Sequence, residues 1–165
     1  MPELGTLLVL AGSGSFTFIA VYLAGMNLYL TSVSLFGLRK RKEPPFPQPA
    51  KRFAVLVPAH NEELVIGETV RSLLAVDYPC ELFTVFVVAD NCTDATAANA
   101  RTAGAEVLER FDDELRGKPH AVAWALERIL ADRAFDAVVQ IDADNVVSAN
   151  LLRAFNSRLL RGETV

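Results

Sequence analysis

The sequence predicts an α/β domain, a mostly parallel sheet flanked by helices, preceded by an N-terminal transmembrane helix. Three observations carry that expectation. Residues 4–38 contain no charged side chain. From Phe53 onward, short continuous apolar runs alternate with stretches of helical period, the pattern of strands buried on both faces and joined through helices. Three of those runs end in polar clusters, which suits a ligand site outside the carboxyl ends of parallel strands.

The N-terminal segment comes first in the chain. About 20 apolar residues cross a bilayer, whereas a secretory signal has an apolar core of only roughly 7–15 behind a charged start. Here the uncharged stretch is longer and only Glu3 precedes it, so it reads as a membrane anchor. Gly12-Ser13-Gly14-Ser15 predicts that the part before it is frayed or interfacial. Arg39-Lys40-Arg41-Lys42 follows directly. By the positive-inside rule that end is cytoplasmic, giving a single-pass protein of the cell (inner) membrane with its N-terminus outside. The same cations could touch anionic head groups, but a topology signal without a specific ligand is the simpler reading. Residues 1–42 are thus the anchor with its basic flank. Residues 43–51, with prolines at 44, 45, 47 and 49, form a stiff linker that is neither helix nor central strand. Residues 52–165 are the domain.

Within the domain, Phe53-Ala54-Val55-Leu56-Val57 is the first buried strand. Asn61 is placed to cap a helix bearing Ile66, Val70, Leu73 and Leu74, with Glu62 and Glu63 in its first turn, and Tyr78-Pro79 stops that unit. Phe83 to Ala89 is the second strand, ending at Asp90. A helix follows with Thr93 or Asp94 near its start and Gly104 at its C-terminal stop. Glu106-Val107-Leu108 is a weaker third strand. After a polar loop, Pro119 suits the first turn of a helix with Val122, Leu126, Ile129 and Leu130 on one face. Ala137 to Ile141 is the last strand, and Ser148 is placed to cap a final helix carrying Leu151, Leu152, Phe155 and Leu159.

Composition narrows the function. The net charge of −4 gives no basic footprint for nucleic acid. Cys80 and Cys92 form no CxxC and no ligand spacing, so both read as reduced structural thiols. The sequon Asn91-Cys92-Thr93 falls on the cytoplasmic side and reads as accidental.

The chemistry is placed by the strand ends. In extended chain, residues i and i+2 face the same way, so Asp142 and Asp144 can address one point beyond the last strand. Hard cations such as Mg²⁺ and Mn²⁺ take oxygen ligands, and one or two carboxylates suffice when substrate phosphates supply the rest. No GxGxxG follows the first strand and no GxxxxGK[ST] occurs, which disfavours dinucleotide oxidoreductases and P-loop hydrolases. Phosphate charge then falls to the metal and to a cation, for which Lys118 beside Gly117 is placed. Each residue also has a plainer reading. Glu62 can serve its helix dipole, Asp90 and Asp94 can be caps or turn residues, Lys118 can be solvated surface, and Asp142-Ala143-Asp144 can be a solvated turn. His60 and His120 lack ligand-like spacing, and Trp124 reads as core.

Four motifs nevertheless occur in order: Val57-Pro58-Ala59-His60-Asn61-Glu62, Val88-Ala89-Asp90-Asn91-Cys92-Thr93-Asp94-Ala95-Thr96, Gly117-Lys118-Pro119-His120-Ala121 and Asp142-Ala143-Asp144. Together they resemble glycosyltransferase family 2 with its GT-A nucleotide-sugar-binding fold. The resemblance covers about a hundred residues and leaves out the anchor. It implies that Pro58, Ala59 and Glu62 border the nucleoside, Glu62 accepting from ribose or base. Asp90 would accept from the base N–H, Lys118 would lie near the diphosphate, and Asp142 would contact the ribose side or the metal's shell. Asp144 would ligate Mn²⁺ or Mg²⁺. The implied activity is inverting transfer from a nucleotide-sugar donor, a UDP-sugar or similar, to a glycan, lipid or small-molecule acceptor. One departure stands out: the acceptor-binding half, with the family's base Asp and the Gln-x-x-Arg-Trp of processive members, is missing after Asp144. The expectation is therefore the donor-binding part of a glycosyltransferase, inactive by itself. The alternatives are a catalytically inactive membrane-tethered binding or interaction module and, less favoured, a nucleotidyltransferase or a receiver domain.

Overall fold

In a computed structural model of the chain, which describes residues 3–37, 45–132 and 134–163, the polypeptide divides into two units, Met1–Pro44 and Pro45–Val165. The first unit is helix α1 (Glu3–Gly37). Its segment Phe16–Gly37, 22 residues with none buried, is long and apolar enough to cross a membrane. At 1.5 Å per residue it spans about 33 Å, close to the ~30 Å hydrocarbon core. A polar group in lipid needs an internal partner. Asn27 Nδ2 donates to the Leu23 carbonyl, and the Ser32 and Ser34 hydroxyls donate to those of Leu28 and Leu30. The helix runs on through residues 12–15, before which the sequence predicts a frayed or interfacial extension; two glycines cost a long helix only about 1 kcal/mol each. The cluster at residues 39–42 lies outside the described residues.

The second unit is built on four parallel strands, β1 (Phe53–Ala59), β2 (Phe83–Asp90), β3 (Glu106–Arg110) and β4 (Ala137–Gln140), in the order β3-β2-β1-β4. Central β1 is buried at every position and β2 at all but one, whereas the edge strands β3 and β4 each have two exposed residues and only one fully buried one. Continuous apolar runs mark strands covered on both faces. Alternation then sorts the side chains. Val55, Val57, Val85 and Val87 pack with Ile66, Val70 and Leu73 of α2 (Ile66–Leu74), Ala100 of α3 (Thr96–Ala103) and Leu152 of α5 (Leu151–Leu160). Leu56, Phe86 and Val88 pack with Ala121, Ala125 and Ile129 of α4 (Lys118–Asp132) on the other face. Partly buried Trp124 joins that second cluster with Arg128 stacked 3.9 Å from its ring.

Several boundaries differ from the sequence reading. Asn61 does not cap α2: it is left-handed at φ 55°, α2 begins at Ile66, and Val65 and Ile66 N–H groups bond the Glu62 carbonyl in an intervening turn. A cap needs an extended backbone, and here the Asn61 Oδ1 accepts from the Thr93 amide at 2.8 Å instead. Ser148 does not cap α5 with its side chain either; its carbonyl accepts from Leu151 N–H and the helix begins after Asn150. Strand β4 ends at Gln140, although the Ile141 amide still bonds the Leu56 carbonyl. Residues 45–52 have no regular structure, yet they are not a free spacer. Asn156, fully buried on α5, accepts from Ala50 and Lys51 amides and from the Tyr78 hydroxyl, and donates to the Gln48 carbonyl.

Gly104 ends α3 at φ +104°, and a Cβ there would lie 3.0 Å from Leu74 Cδ1. Both the left-handed backbone and the close approach favour glycine. Gly104→Ala is expected to lower stability by about 1–2 kcal/mol, read as a lower denaturation midpoint at unchanged slope.

Candidate functional site

Because β1, β2 and β4 are parallel, their carboxyl ends open on one edge of the sheet. There the loops enclose a cavity of about 510 Å³. Pro58, Ala59, Glu62, Asp90, Lys118, Asp142 and Asp144 all line it, so the residues singled out in the sequence meet although up to 86 positions separate them. His60, Asn91, Arg116 and Gly117 line it as well, and no functional role was read for the first three.

Left-handed residues turn the chain at both central strands. Asn61 and Asn91 have φ of 55° and 51°, a conformation that asparagine tolerates better than most residues. Their side chains stitch neighbouring loops. Asn61 accepts from Thr93, while Asn91 accepts from the Asp112 amide at 2.8 Å and donates to the Asp112 carbonyl at 3.1 Å. His60 Nδ1 lies 2.7 Å from the Asp90 carbonyl. A carbonyl only accepts, so Nδ1 carries the proton. Asp94 is structural: its carboxylate accepts from the Thr96 amide and hydroxyl and from the Glu63 amide. Desolvation raises its pKa, but these hydrogen bonds outweigh it and hold the group below the usual range.

Asp142 and Asp144 are exposed on either side of buried Ala143. The buried Thr69 hydroxyl on α2 donates to the Ala143 carbonyl at 2.6 Å, which fixes the loop between the two carboxylates. Asp142 pairs with Lys118, a contact that the sequence did not predict. Arg116 pairs with Asp113.

At the other side of the cavity, Asp90 and Arg110 are both buried and paired at 2.6 Å. Arg110 also bonds Asp112 Oδ2 at 2.8 Å and the Leu115 carbonyl at 2.6 Å. Asp112 Oδ1 in turn accepts from the Leu115 and Glu114 amides. The Leu115 amide bond, more than the opposing desolvation, holds the Asp112 carboxyl below its ordinary value. A depressed folded value stabilises above the ordinary carboxylate range near pH ~3.9 and loses that contribution as pH falls through the folded value. Asp112→Asn is therefore expected to lower stability at pH 7, the deficit shrinking below about pH 4. Denaturant titrations across pH check this; a deficit independent of pH would contradict it.

The charges decide what can enter. Four carboxylates, Glu62, Asp90, Asp142 and Asp144, line the cavity against two cations, Arg116 and Lys118. An anionic ligand entering such a site needs an accompanying cation. Among the described residues no group of three or more His, Cys, Asp or Glu side chains could hold a metal alone. Asp142 and Asp144 offer oxygen donors suited to Mg²⁺ or Mn²⁺ with further ligands from phosphate, so the donor set fits a metal shared with a nucleotide.

Residues 49–165 match the family described as glycosyltransferase like family 2. The chain is 36% identical over 114 residues to a β-monoglucosyldiacylglycerol synthase of Synechocystis sp., covering 66% of this chain and 22% of that protein. It is 33% identical over 97 residues to a 4,4'-diaponeurosporenoate glycosyltransferase of Staphylococcus aureus, covering 57% and 24%. The chain thus spans about a quarter of the length of these curated relatives. A mannosyltransferase from Pyrobaculum calidifontis in complex with GDP-Man and Mn²⁺ superposes with TM-score 0.63 at 26% identity over 84% of this chain and 41% of that one. A glucosyl-3-phosphoglycerate synthase from Mycobacterium tuberculosis, in complex with Mn²⁺, UDP and phosphoglyceric acid, gives 0.53 at 28% identity, over 70% and 41%.

Proposed function

The chain belongs to glycosyltransferase family 2, and from that premise we propose that its cavity binds the nucleotide-sugar donor of a membrane-anchored, inverting glycosyltransferase. The observation that carries the reading is the meeting of Pro58, Ala59, Glu62, Asp90, Lys118, Asp142 and Asp144 in one cavity at the carboxyl edge of the sheet. Pro58 and Ala59 form the apolar floor beside the nucleoside, and Glu62 accepts from ribose or base. The Asp90 carboxylate accepts from a base N–H through the oxygen that Arg110 does not hold. Lys118 and Arg116 balance the diphosphate, with Lys118 exchanging its Asp142 partner for phosphate. Asp144, assisted by Asp142, holds Mn²⁺ or Mg²⁺, which when bound neutralises charge on the leaving nucleoside diphosphate.

These roles use all four cavity carboxylates, so the base for the acceptor hydroxyl is a further group. Helix α1 anchors the domain, with residues 39–42 and the donor site on the cytoplasmic side. The relatives named for diacylglycerol and for diaponeurosporenoate, together with an apolar helix fit to cross a membrane, favour a lipid acceptor. UDP is favoured as the donor nucleotide, GDP being its competitor given the neighbours bound to each.

Calorimetry on the full chain in detergent, with UDP, GDP and ADP titrated with and without Mn²⁺, tests the proposal. One nucleoside diphosphate should bind at least tenfold more tightly with metal. Binding of none, or binding indifferent to metal, would overturn it.

A further inference from the structure

Arg110 stands at the end of edge strand β3, where an arginine is ordinarily solvated, yet it is 4% exposed. Its guanidinium touches three acceptors: Asp90 Oδ1 at the end of β2, Asp112 Oδ2, and the Leu115 carbonyl. The latter two belong to the loop that leads into Arg116, Gly117 and Lys118 on the cavity wall. Its Nε is buried without a partner, so the side chain is placed by its two Nη groups. The Arg110 carbonyl also accepts from the Asn91 amide at 2.7 Å, which ties the same strand end to the turn after Asp90.

We propose that Arg110 is a positioning residue that couples the Asp90 carboxylate to the 112–118 loop, so that base recognition and phosphate recognition are set together. The proposal rests on the donor-site reading above. Its physical basis is the planar fork of arginine, which can hold several acceptors in fixed directions. A lysine keeps the charge but presents a single ammonium point, unable to reproduce the Asp90, Asp112 and Leu115 contacts together. When a ligand donates to the outer oxygen of Asp90, the carboxylate is already oriented by Arg110. The same guanidinium keeps the Leu115 carbonyl, and with it the approach to Lys118, in place.

The test reads one end of the network while changing the other. Hydrogen exchange is followed by mass spectrometry on the full chain in detergent without ligand, in a peptide covering residues 111–118 and in a control peptide covering β1. Asp90→Asn weakens a charge-assisted bond to a neutral one and should speed loop exchange roughly two- to tenfold, leaving β1 unchanged. In an Arg110→Lys background, the same Asp90→Asn change should add less than about twofold, because the link is already cut. Should Arg110→Lys fail to fold, Asp112→Asn serves instead and should reduce the transmitted effect. A loop that ignores Asp90→Asn, or that responds equally with and without the Arg110 link, would overturn the proposal.

A second arm adds UDP or GDP with Mn²⁺. Nucleotide should slow exchange in the loop of the parent protein, and Arg110→Lys should weaken its affinity by about tenfold. Absence of nucleotide protection in the parent would sink the donor-site reading, while the ligand-free arm still decides the role of Arg110.

Discussion

Asp144→Ala is expected to lower Mn²⁺-dependent affinity for the preferred nucleoside diphosphate by about a hundredfold or more, and to leave the fold intact. The first part follows from removing one of the two carboxylates proposed to hold the metal. The second follows from exposure: Asp144 lies on the surface of the loop, and that loop is held through the Thr69 hydroxyl on the Ala143 carbonyl and the Asp142 pair with Lys118. Asp142→Ala is expected to separate the metal-dependent from the metal-independent part of binding. Its removal releases Lys118 from the ion pair and leaves one acid fewer beside the diphosphate. Binding with metal should fall, whereas binding without metal should stay level or rise. Equal losses with and without metal in both variants would point to damage of the fold and contradict the assignment.

Arg110→Met should destabilise the protein by about 3–5 kcal/mol. Both members of its pair with Asp90 are buried, with side-chain exposures of 4% and 9%. Truncating one therefore leaves a carboxylate out of water without its counter-charge, held among the described residues by the Asn91 side-chain Nδ2 at 3.2 Å. Neutralising the orphan by Asp90→Asn in the same chain should recover a large share of the loss, because the cost lies in the uncompensated charge. Denaturant unfolding of the parent, both single variants and the double variant measures this. Additive losses in the double variant would show that the two residues do not interact as the structure has them.

The central strands and the positions of the cavity residues were legible in the sequence, for a simple reason. A strand covered on both faces is apolar over most of its length, as β1 is throughout and β2 is apart from Thr84 and the terminal Asp90. Parallel strands deliver their last residues to one edge, so the polar ends of β1, β2 and β4 had to converge. Edge strand β3 was legible only in part, because Glu106 and Glu109 face solvent and blur the run. What the sequence could not reveal are features defined by partners distant in the chain. Asn61 resembles a helix cap until the loop after β2 is brought beside it and takes its side chain. Arg110 resembles any charged residue at a strand end; only the fold sets Asp90, 20 residues earlier, against it. Asn156 resembles a polar residue on the solvent side of a helix, and its burial depends on residues 48–51 crossing more than a hundred positions to reach it. The Asp142–Lys118 pair is hidden for the same reason.

The cavity at the ends of β1, β2 and β4 is proposed to receive the nucleotide part of a sugar donor. Photolabelling the full chain with an azido-base analogue of whichever nucleoside diphosphate binds, followed by peptide mapping, tests it most directly. Saturable labelling is expected within residues 58–62 or 90–92, suppressed by excess unlabelled nucleotide and by Asp90→Ala. Saturable labelling confined to peptides outside the cavity, unaffected by Asp90→Ala, would contradict it.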